Sequence, residues 1–421
     1  MSEASPSQRR LFWTVVLGGG AVLLACGAAY FAGQVGDADW WRREATAYNL
    51  RHAVPDEDNA ALDYERLTGA RYTGTTDFRV DWRTPLSTSD LLLLAGMDAA
   101  LDNLTALTRK PHCIYRLPPE TLPFNVPMAY LQRIQNLGRH WLPLRARKRA
   151  SEGHAEEAGE DLLTAIRMGA QQDRGFQIHR LVGMACRYYA CQGLERLAMD
   201  APPAAEVLER WMEEIQAVEA GHPQTEEAWE VERLSARGTL EAVYRPGTLL
   251  SSFRGGDPRI LEGTLGWFYL SVKQPLRRCR RDCEELMDLK SKENPTKADL
   301  ARMDAITEND SVVFPFGEGR KFMHSFRKTQ ALERGTRILL QLRAKRLREG
   351  AYPATLDGLE APTDPYSGKP FIYRKLEGDA FQLYAVGPNG VDDGGKRDLR
   401  DPGGSMPNAG VDLIFGRPPT P

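Results

Sequence analysis

The sequence has 421 residues, of which 42% are hydrophobic and 27% are charged, the ordinary composition of a globular protein with a real core. The length favours about two or three domains. The formal net charge is -2 at pH 7 and no long block of one sign occurs, so electrostatics argues against nucleic acid as a partner.

The N-terminal region contains an apolar segment, residues 11–33, without a charged residue. At about 1.5 Å per residue a helix of this length crosses a bilayer core of about 30 Å. Arginines precede the segment while Asp37 and Asp39 follow it, so the positive-inside rule predicts a cytoplasmic tail, residues 1–10. The sequence therefore predicts a single-pass protein of the bacterial inner membrane with its bulk in the periplasm, or otherwise outside the cytoplasm.

Three alternatives compete with an uncleaved anchor. A cleaved signal peptide usually has a shorter apolar stretch and a clear small-residue cleavage site. The sequence LLAC before Gly27 resembles a lipoprotein box with Cys26 as the lipid-bearing residue, but Leu24 fits its position poorly and apolar residues continue beyond the cysteine. The arginine pair also resembles a twin-arginine signal, although its flanks match poorly. We therefore expect a retained anchor.

The cysteines beyond this segment are odd in number, so at least one thiol stays unpaired. Cys279 and Cys283 lie one helical turn apart in the sequence RRCRRDC. Neighbouring arginines lower a thiol pKa and would make an exposed cysteine reactive. The alternative, which we favour, is a pair of small residues on a helix whose other side is basic and solvated.

The middle of the chain, residues 34–317, is predicted to be a helical domain. Apolar residues recur at helical spacing between turn-forming clusters, and the short connections imply antiparallel neighbours. The predicted helices are a stalk after the Trp40-Trp41 pair, one ending near Leu67, one over 87–110, five between 127 and 243, and two over 258–291 and 296–308.

Residues 141–169 resemble one tetratricopeptide unit. Gly153 falls at the turn between its helices, and Ala158, Leu162 and Ala165 fit the small-large-small packing positions of the second helix. Small residues let two helices approach while the larger one fills the groove. Because no second copy follows at a period of about 34 residues, the sequence predicts a helical hairpin inside a bundle rather than a repeat array.

The last part of the chain, residues 318–421, is predicted to begin with a long helix over 319–348 that Gly350 ends. From residue 352 onward Pro, Gly, Asp and aromatic residues dominate, which indicates a change to a small antiparallel β module. The predicted fold class is therefore mainly α: an N-terminal transmembrane helix, a helical bundle, and a β module packed on the long helix.

Three motifs follow this helix in order: YPATLDGL, DPYSGKPFIY and FQLYAVGPNGVDDGG. This arrangement resembles the C-terminal region of the major pseudopilin of type II secretion systems, whose terminal loop binds calcium. The resemblance implies a calcium site made of the Val386 carbonyl, the Asn389 side chain, Asp392 or Asp393, and Asp412. Such oxygen ligands suit calcium, which accepts six to eight of them.

The sequence also departs from that family. Asn389 stands where an acid is usual, the VDD run is one residue longer, and no prepilin peptidase site precedes the apolar segment. Pseudopilin function is therefore not carried over. Asn-Gly and Asp-Gly also favour tight hairpin turns without any metal, which is the alternative interpretation of the loop. The overall layout resembles, in addition, a group of uncharacterised bacterial single-pass membrane-anchored helical proteins.

Catalytic signatures are absent from the sequence, including a P-loop, His-Glu-x-x-His, Gly-x-Ser-x-Gly and Cys-x-x-Cys. We therefore expect a non-enzymatic scaffold or interaction protein outside the cytoplasm, with calcium as its cofactor. Its expected partners are the membrane, through residues 11–33, and a protein of the envelope. The alternatives are a component of a secretion or surface-assembly system, or an enzyme such as a hydrolase whose site residues come from distant parts of the chain.

Overall fold

The described part of the chain is mainly helical and ends in a small three-stranded antiparallel sheet, which confirms the mainly α class predicted from the sequence. The computed structural model describes residues 25–67, 82–123, 128–223, 225–245, 271–272, 274–292, 295–309, 319–395 and 412–416.

The described helices follow the predicted order. The helix predicted over 258–291 is interrupted at Gln274 and Pro275, so that a helix begins at Leu276, and residues 258–270 lie outside the described part of the chain. The predicted helix over 87–110 is divided in two at Gly96, whose φ of 88° is a left-handed conformation that no helix interior adopts. The helices are α1 (Trp40–Arg51), α2 (Ala60–Arg66), α3 (Thr88–Leu94), α4 (Asp98–Leu107), α5 (Ala129–Asn136), α6 (Leu142–Ser151), α7 (Ala155–Gln171), α8 (Gln177–Asp200), α9 (Ala205–Ala220), α10 (Thr225–Val243), α11 (Leu276–Lys290), α12 (Lys297–Asn309) and α13 (Gly319–Glu349).

The predicted membrane span lies only partly within the described residues. Residues 25–32 are helical, whereas residues 11–24 lie outside the described part of the chain. Among the residues that are described, no helix is both long enough and apolar enough to cross a bilayer. The anchor therefore stays a prediction from the sequence.

The chain divides into two compact units. The smaller unit comprises Met1–Arg51, Leu117–Val126 and Arg233–Gly317. The larger unit comprises the remaining residues and contains both the helical hairpin and the β module.

In the larger unit, α6 and α7 form the helical hairpin that the sequence predicts. Gly153 has a φ of 89° at the turn between them, where a side chain would be strained. Ala158, Leu162 and Ala165 of α7 are all fully buried in the core. The small-large-small pattern therefore marks the face on which α7 packs.

Glycines allow α7 and α8 to cross at close range in this unit. A Cβ atom on Gly169 would lie 2.5 Å from the carbonyl oxygen of Gly183, and one on Gly183 would lie 2.3 Å from the carbonyl oxygen of Gly169. Nearer the start of α7, Gly159 leaves room for the Trp211 ring of α9. Helices α8 and α9 both pack against α13 as well.

The sheet has the order β1 (Ile372–Lys375), β2 (Phe381–Ala385) and β3 (Leu413–Phe415), with both pairings antiparallel. Leu383 in the central strand pairs with Tyr373 on one side and Phe415 on the other. Phe415 lies directly over Gly335 of α13, where a Cβ atom would come within 2.2 Å of the ring. The module is thus packed on the long helix, as the sequence predicts.

The smaller unit has its own apolar cluster, in which α11 and α12 pack with the end of α10. Cys279 and Cys283 of α11 are buried in this cluster. Burial raises the pKa of the Cys283 thiol to about 12. A reactive thiolate is therefore disfavoured, and the two cysteines act as small core residues beside a basic surface.

Candidate functional site

The loop predicted to bind calcium starts directly after β2. The backbone N–H of Val386 donates a hydrogen bond to Oδ2 of Asp364 at 3.2 Å, and Val386 itself is buried. The N–H of Gly390 donates to the carbonyl of Gly387 at 2.9 Å, which closes a tight turn with Gly390 at a φ of 69°. A tight turn is therefore present, but Pro388 and Asn389 occupy its centre, whereas an Asn-Gly hairpin turn would place Asn389 and Gly390 there.

Asp412 lies just before β3 and is distant in sequence from the loop that follows β2. Its carboxylate nevertheless accepts hydrogen bonds from two residues of that loop. Its Oδ1 atom accepts a hydrogen bond from the N–H of Asp393 at 3.3 Å, and its Oδ2 atom accepts one from the N–H of Gly395 at 2.7 Å. Its exposed fraction is only 4%. Oδ2 of Asp393 in turn accepts a hydrogen bond from the Asn389 amide at 3.0 Å. Asn389, Asp393 and Asp412 therefore form one connected chain.

Asp392 takes a separate position. Its Oδ1 atom accepts hydrogen bonds from the N–H of Gly394 and from the Tyr384 hydroxyl, each at 2.9 Å. These two donors, the Gly394 N–H above all, lower the pKa of Asp392 below its ordinary value. Of the two adjacent aspartates, Asp393 is therefore the one connected with Asn389 and Asp412.

Negative charge is concentrated around Asp412. Burial raises the pKa of its carboxyl group above the ordinary value, and the negative charges of Asp393 and Asp392 add to this rise. The two backbone N–H donors oppose it. A cation near these carboxylates would offset both the burial of charge and the mutual repulsion.

The donor chemistry of this loop suits a hard cation, because its side chains offer carboxylate and amide oxygens alone. Within the described residues, no group of three or more His, Cys, Asp and Glu side chains is already arranged to hold a metal ion. Asn389 and Asp393 bond each other instead. Calcium binding would require these two side chains to turn towards a common point.

Asp364 fixes the first residue of the loop by a hydrogen bond, and this role was not predicted from the sequence. This buried residue accepts hydrogen bonds from the N–H of Tyr366 at 2.9 Å and from the Ser367 hydroxyl at 2.7 Å, in addition to the bond from Val386. The local signal was present, since Asp-Pro followed by Ser favours a side-chain-capped turn. No nearby sequence pattern predicts the hydrogen bond between Asp364 and Val386, because the two residues are far apart in the chain.

A buried ionic cluster in the larger unit was also missed. Arg187 of α8 donates to Asp173 at 2.7 Å, and its Nε lies 3.2 Å from Oε1 of Glu333 on α13. The imidazole of His222, just after α9, lies 2.8 Å from Oδ2 of Asp173. These four side chains connect four segments of the unit, and single-sequence periodicity gives no sign of such pairing.

In this cluster the contacts between opposite charges lower the pKa of Asp173 and raise the pKa of His222. Burial opposes the charged form of Asp173, but Arg187 and His222 hold its pKa well below the ordinary range. Burial and Arg187 lower the pKa of His222, yet its contacts with Asp173 and Glu333 prevail and raise it to about 9. Arg187 and His222 thus pair with Asp173 and Glu333 in the interior of the larger unit.

A charged cleft of about 350 Å³ opens between α4, α6 and α7. At its base the buried Arg145 donates to Asp161 at 2.6 Å and to Asp102 at 2.7 Å. Arg149 also donates to Asp161, at 2.9 Å. The cleft is lined by Asp98, Asp102, Arg145, Lys148, Arg149, Glu152, His154 and Glu157.

Comparison with known proteins gives no relative, since no family model, no curated protein and no solved structure matches this chain.

Proposed function

We propose that this chain is a membrane-anchored, extracytoplasmic, non-enzymatic scaffold or interaction protein whose C-terminal module is stabilised by a calcium ion. The observation that carries the proposal is the hydrogen-bonded chain of Asn389, Asp393 and Asp412, which connects the loop after β2 to the residue before β3.

The anchor is supported by the sequence of residues 11–33, which contains no charged residue over a length that suits a bilayer. The arginines before it and the aspartates after it set the expected orientation. The bulk of the chain then lies outside the cytoplasm, where calcium is plentiful. A calcium site of low affinity is occupied in such a compartment.

The interaction role is supported by surface features of the larger unit. Leu91 and Leu92 are exposed on α3, and the charged cleft at α4 begins only a few residues further along the chain. Exposed apolar side chains beside charged groups are typical of surfaces that contact another protein.

The proposed ligands are the main-chain carbonyl of Val386, the side chains of Asn389 and Asp393, and the carboxylate of Asp412. Asp393 is preferred to Asp392 because its carboxylate already contacts Asn389, whereas the carboxylate of Asp392 is held by Tyr384 and Gly394. Water molecules complete the six to eight oxygen ligands that calcium takes.

The proposed ion stabilises the module in two ways. It offsets the repulsion between Asp412 and the neighbouring aspartates, and it connects the loop after β2 with β3. A ligand that binds only the folded state raises the unfolding free energy by mass action, by about 2.7 kcal/mol at a concentration 100 times Kd.

The calcium part is tested by thermal unfolding of the full-length chain in detergent micelles, with calcium, with magnesium or with a chelator. We expect calcium alone to raise the midpoint, and Asp393→Asn and Asp412→Asn each to abolish the rise. Asp392→Asn is the matched control inside the loop, and Glu377→Gln is a control in the exposed β1–β2 connection; both retain the rise. Equal midpoints for the wild-type chain in calcium and chelator reject the site.

The anchor is tested separately by membrane fractionation followed by an alkaline carbonate wash. An integral protein stays with the lipid pellet, whereas a peripheral or soluble chain is released. Release of the full-length chain rejects the anchor and leaves the calcium result unaffected.

A further inference from the structure

In the smaller unit, the end of the apolar segment and the residue that follows it are hydrogen-bonded to α11 and to the residues just before α11. The Tyr30 hydroxyl donates to the carbonyl of Ser271 at 2.9 Å. The N–H of Leu276, the first residue of α11, donates to Oε1 of Gln34 at 2.7 Å, and Gln34 is buried. The chain just beyond residue 33 is therefore within hydrogen-bond distance of the N-terminal end of α11.

The first turns of α11 present arginines to solvent at this place. Arg277, Arg278 and Arg281 are exposed, and the last of these has 70% of its side chain accessible. Asp282 is buried and lies 3.2 Å from both Arg278 and Arg281, so one carboxylate is shared between two guanidinium groups. Arg277 and Arg281 therefore bring positive charge to the exposed surface of these turns.

Exposed apolar side chains surround the same contact. Tyr30, Val35 and Val272 are exposed by 43%, 44% and 54%, although large apolar residues are usually buried. Tyr30 and Val272 are brought together by the hydrogen bond between the Tyr30 hydroxyl and Ser271. Aromatic and aliphatic residues beside arginines are the composition of protein surfaces that lie at a membrane interface.

We propose that Tyr30, Val35, Val272, Arg277 and Arg281 form a docking patch that binds the headgroups of anionic phospholipids. The patch seats the smaller unit on the bilayer that residues 11–33 enter. This inference rests on the membrane anchor proposed above and adds to it a second, charge-dependent lipid contact.

The depth of the contact supports lipid as the occupant. Each headgroup layer is roughly 5–8 Å thick, given a hydrocarbon core of about 30 Å and a total of about 40–45 Å. One helical turn rises about 5.4 Å. Because Gln34 directly follows the apolar segment and is bonded to Leu276, the first turns of α11 lie at the level of the headgroups.

The chemistry of the patch also suits phosphate groups. Guanidinium groups bind phosphate oxygens with two parallel hydrogen bonds, and arginine is less strongly hydrated than lysine. Arginines within about one Debye length, roughly 8 Å, of an anionic surface are attracted to it at physiological ionic strength. The contact would hold the smaller unit in one orientation on the membrane.

The inference is tested with the full-length chain in nanodiscs of phosphatidylcholine alone or mixed with phosphatidylglycerol. The measurement is the rate at which phenylglyoxal modifies Arg277, read by mass spectrometry. Arg302 of α12, also in the smaller unit and partly exposed, is the internal control. We expect Arg277 to react several-fold more slowly in the anionic nanodiscs, and this protection to disappear at high salt.

Two variants distinguish the docking of the patch on anionic headgroups from the insertion of residues 11–33 into the bilayer. Arg281→Gln is expected to reduce the protection of Arg277 by about fivefold, the effect of one basic residue near an anionic surface. Lys292→Gln, a charge removal elsewhere on the smaller unit, leaves it unchanged. If the chain enters the nanodiscs but Arg277 reacts equally in both lipids, docking is overturned and the anchor stands. If the chain does not enter the nanodiscs, the predicted membrane anchor is rejected, and the docking proposal, which depends on the anchor, is rejected as well.

Discussion

Asp364 accepts a hydrogen bond from the backbone N–H of Val386 at 3.2 Å, and this bond connects the Asp-Pro turn to the acidic loop across 22 residues. The same carboxylate caps its own turn through Tyr366 and Ser367. One buried side chain thus fixes the starting point of the loop in which Asn389, Asp393 and Asp412 are connected.

Replacing Asp364 by alanine is expected to lower the unfolding free energy by about 1–3 kcal/mol, because a buried N–H would lose its acceptor. Denaturant unfolding measures this loss, and amide hydrogen exchange at Val386 should accelerate. Asp357→Ala removes an exposed carboxylate from the same module and is the matched control. An unchanged exchange rate at Val386 would show that the hydrogen bond is unimportant.

Gly169→Ala is expected to destabilise the chain by about 1–3 kcal/mol, although alanine favours helices over glycine by about 1 kcal/mol. The new Cβ atom would lie 2.5 Å from the carbonyl oxygen of Gly183 and force α7 and α8 apart. Gly221→Ala is the control, since its Cβ atom meets only ordinary contacts from 3.4 Å onward. A stabilised Gly169→Ala variant would contradict the close crossing.

His222 is expected to make stability depend on pH in the alkaline range. Its pKa is raised to about 9 in the folded chain by Asp173 and Glu333, against the opposing effects of burial and Arg187. A histidine with a raised pKa contributes stability that is fully present below its unfolded value, near 6.5, and is lost as the pH rises through about 9.

The measurement is the unfolding free energy from pH 6 to about pH 10 for the wild type and His222→Gln. The difference between the two curves isolates the histidine from other titrating groups. We expect this difference to shrink as the pH rises. A constant difference would mean that the pKa of His222 is the same in the folded and the unfolded chain.

Calcium and protons are expected to compete at Asp412. Its pKa is raised by burial and by the charges of Asp393 and Asp392, so the folded chain binds a proton there more readily than an exposed aspartate does. Because calcium requires the ionised carboxylate, the calcium-induced rise in the unfolding midpoint should be smaller at acidic than at neutral pH. A rise that grows on acidification would exclude Asp412 as a ligand.

The sequence predicts those parts of the fold that local periodicity encodes. The hairpin of α6 and α7 and the long helix α13 follow from apolar spacing and from glycines at helix ends. The division at Gly96 was missed because an isolated glycine inside a helical pattern is usually tolerated.

Contacts between residues that are distant in the sequence were not predicted. Arg187 and Glu333 are charged residues within helical patterns, and nothing near either of them in the sequence indicates that they meet inside the core. The same holds for Asp364 and Val386. The residues of the calcium site were named by resemblance, and calcium binding itself stays a prediction.

The most direct test of the account is a calorimetric titration of calcium into the full-length chain and its variants. We predict saturable binding of about one ion per chain, since one loop supplies the proposed ligands. This binding should be lost in Asp412→Asn and Asp393→Asn and retained in Asp392→Asn. Absence of saturable binding to the wild type, or equal binding by Asp412→Asn, would contradict the account.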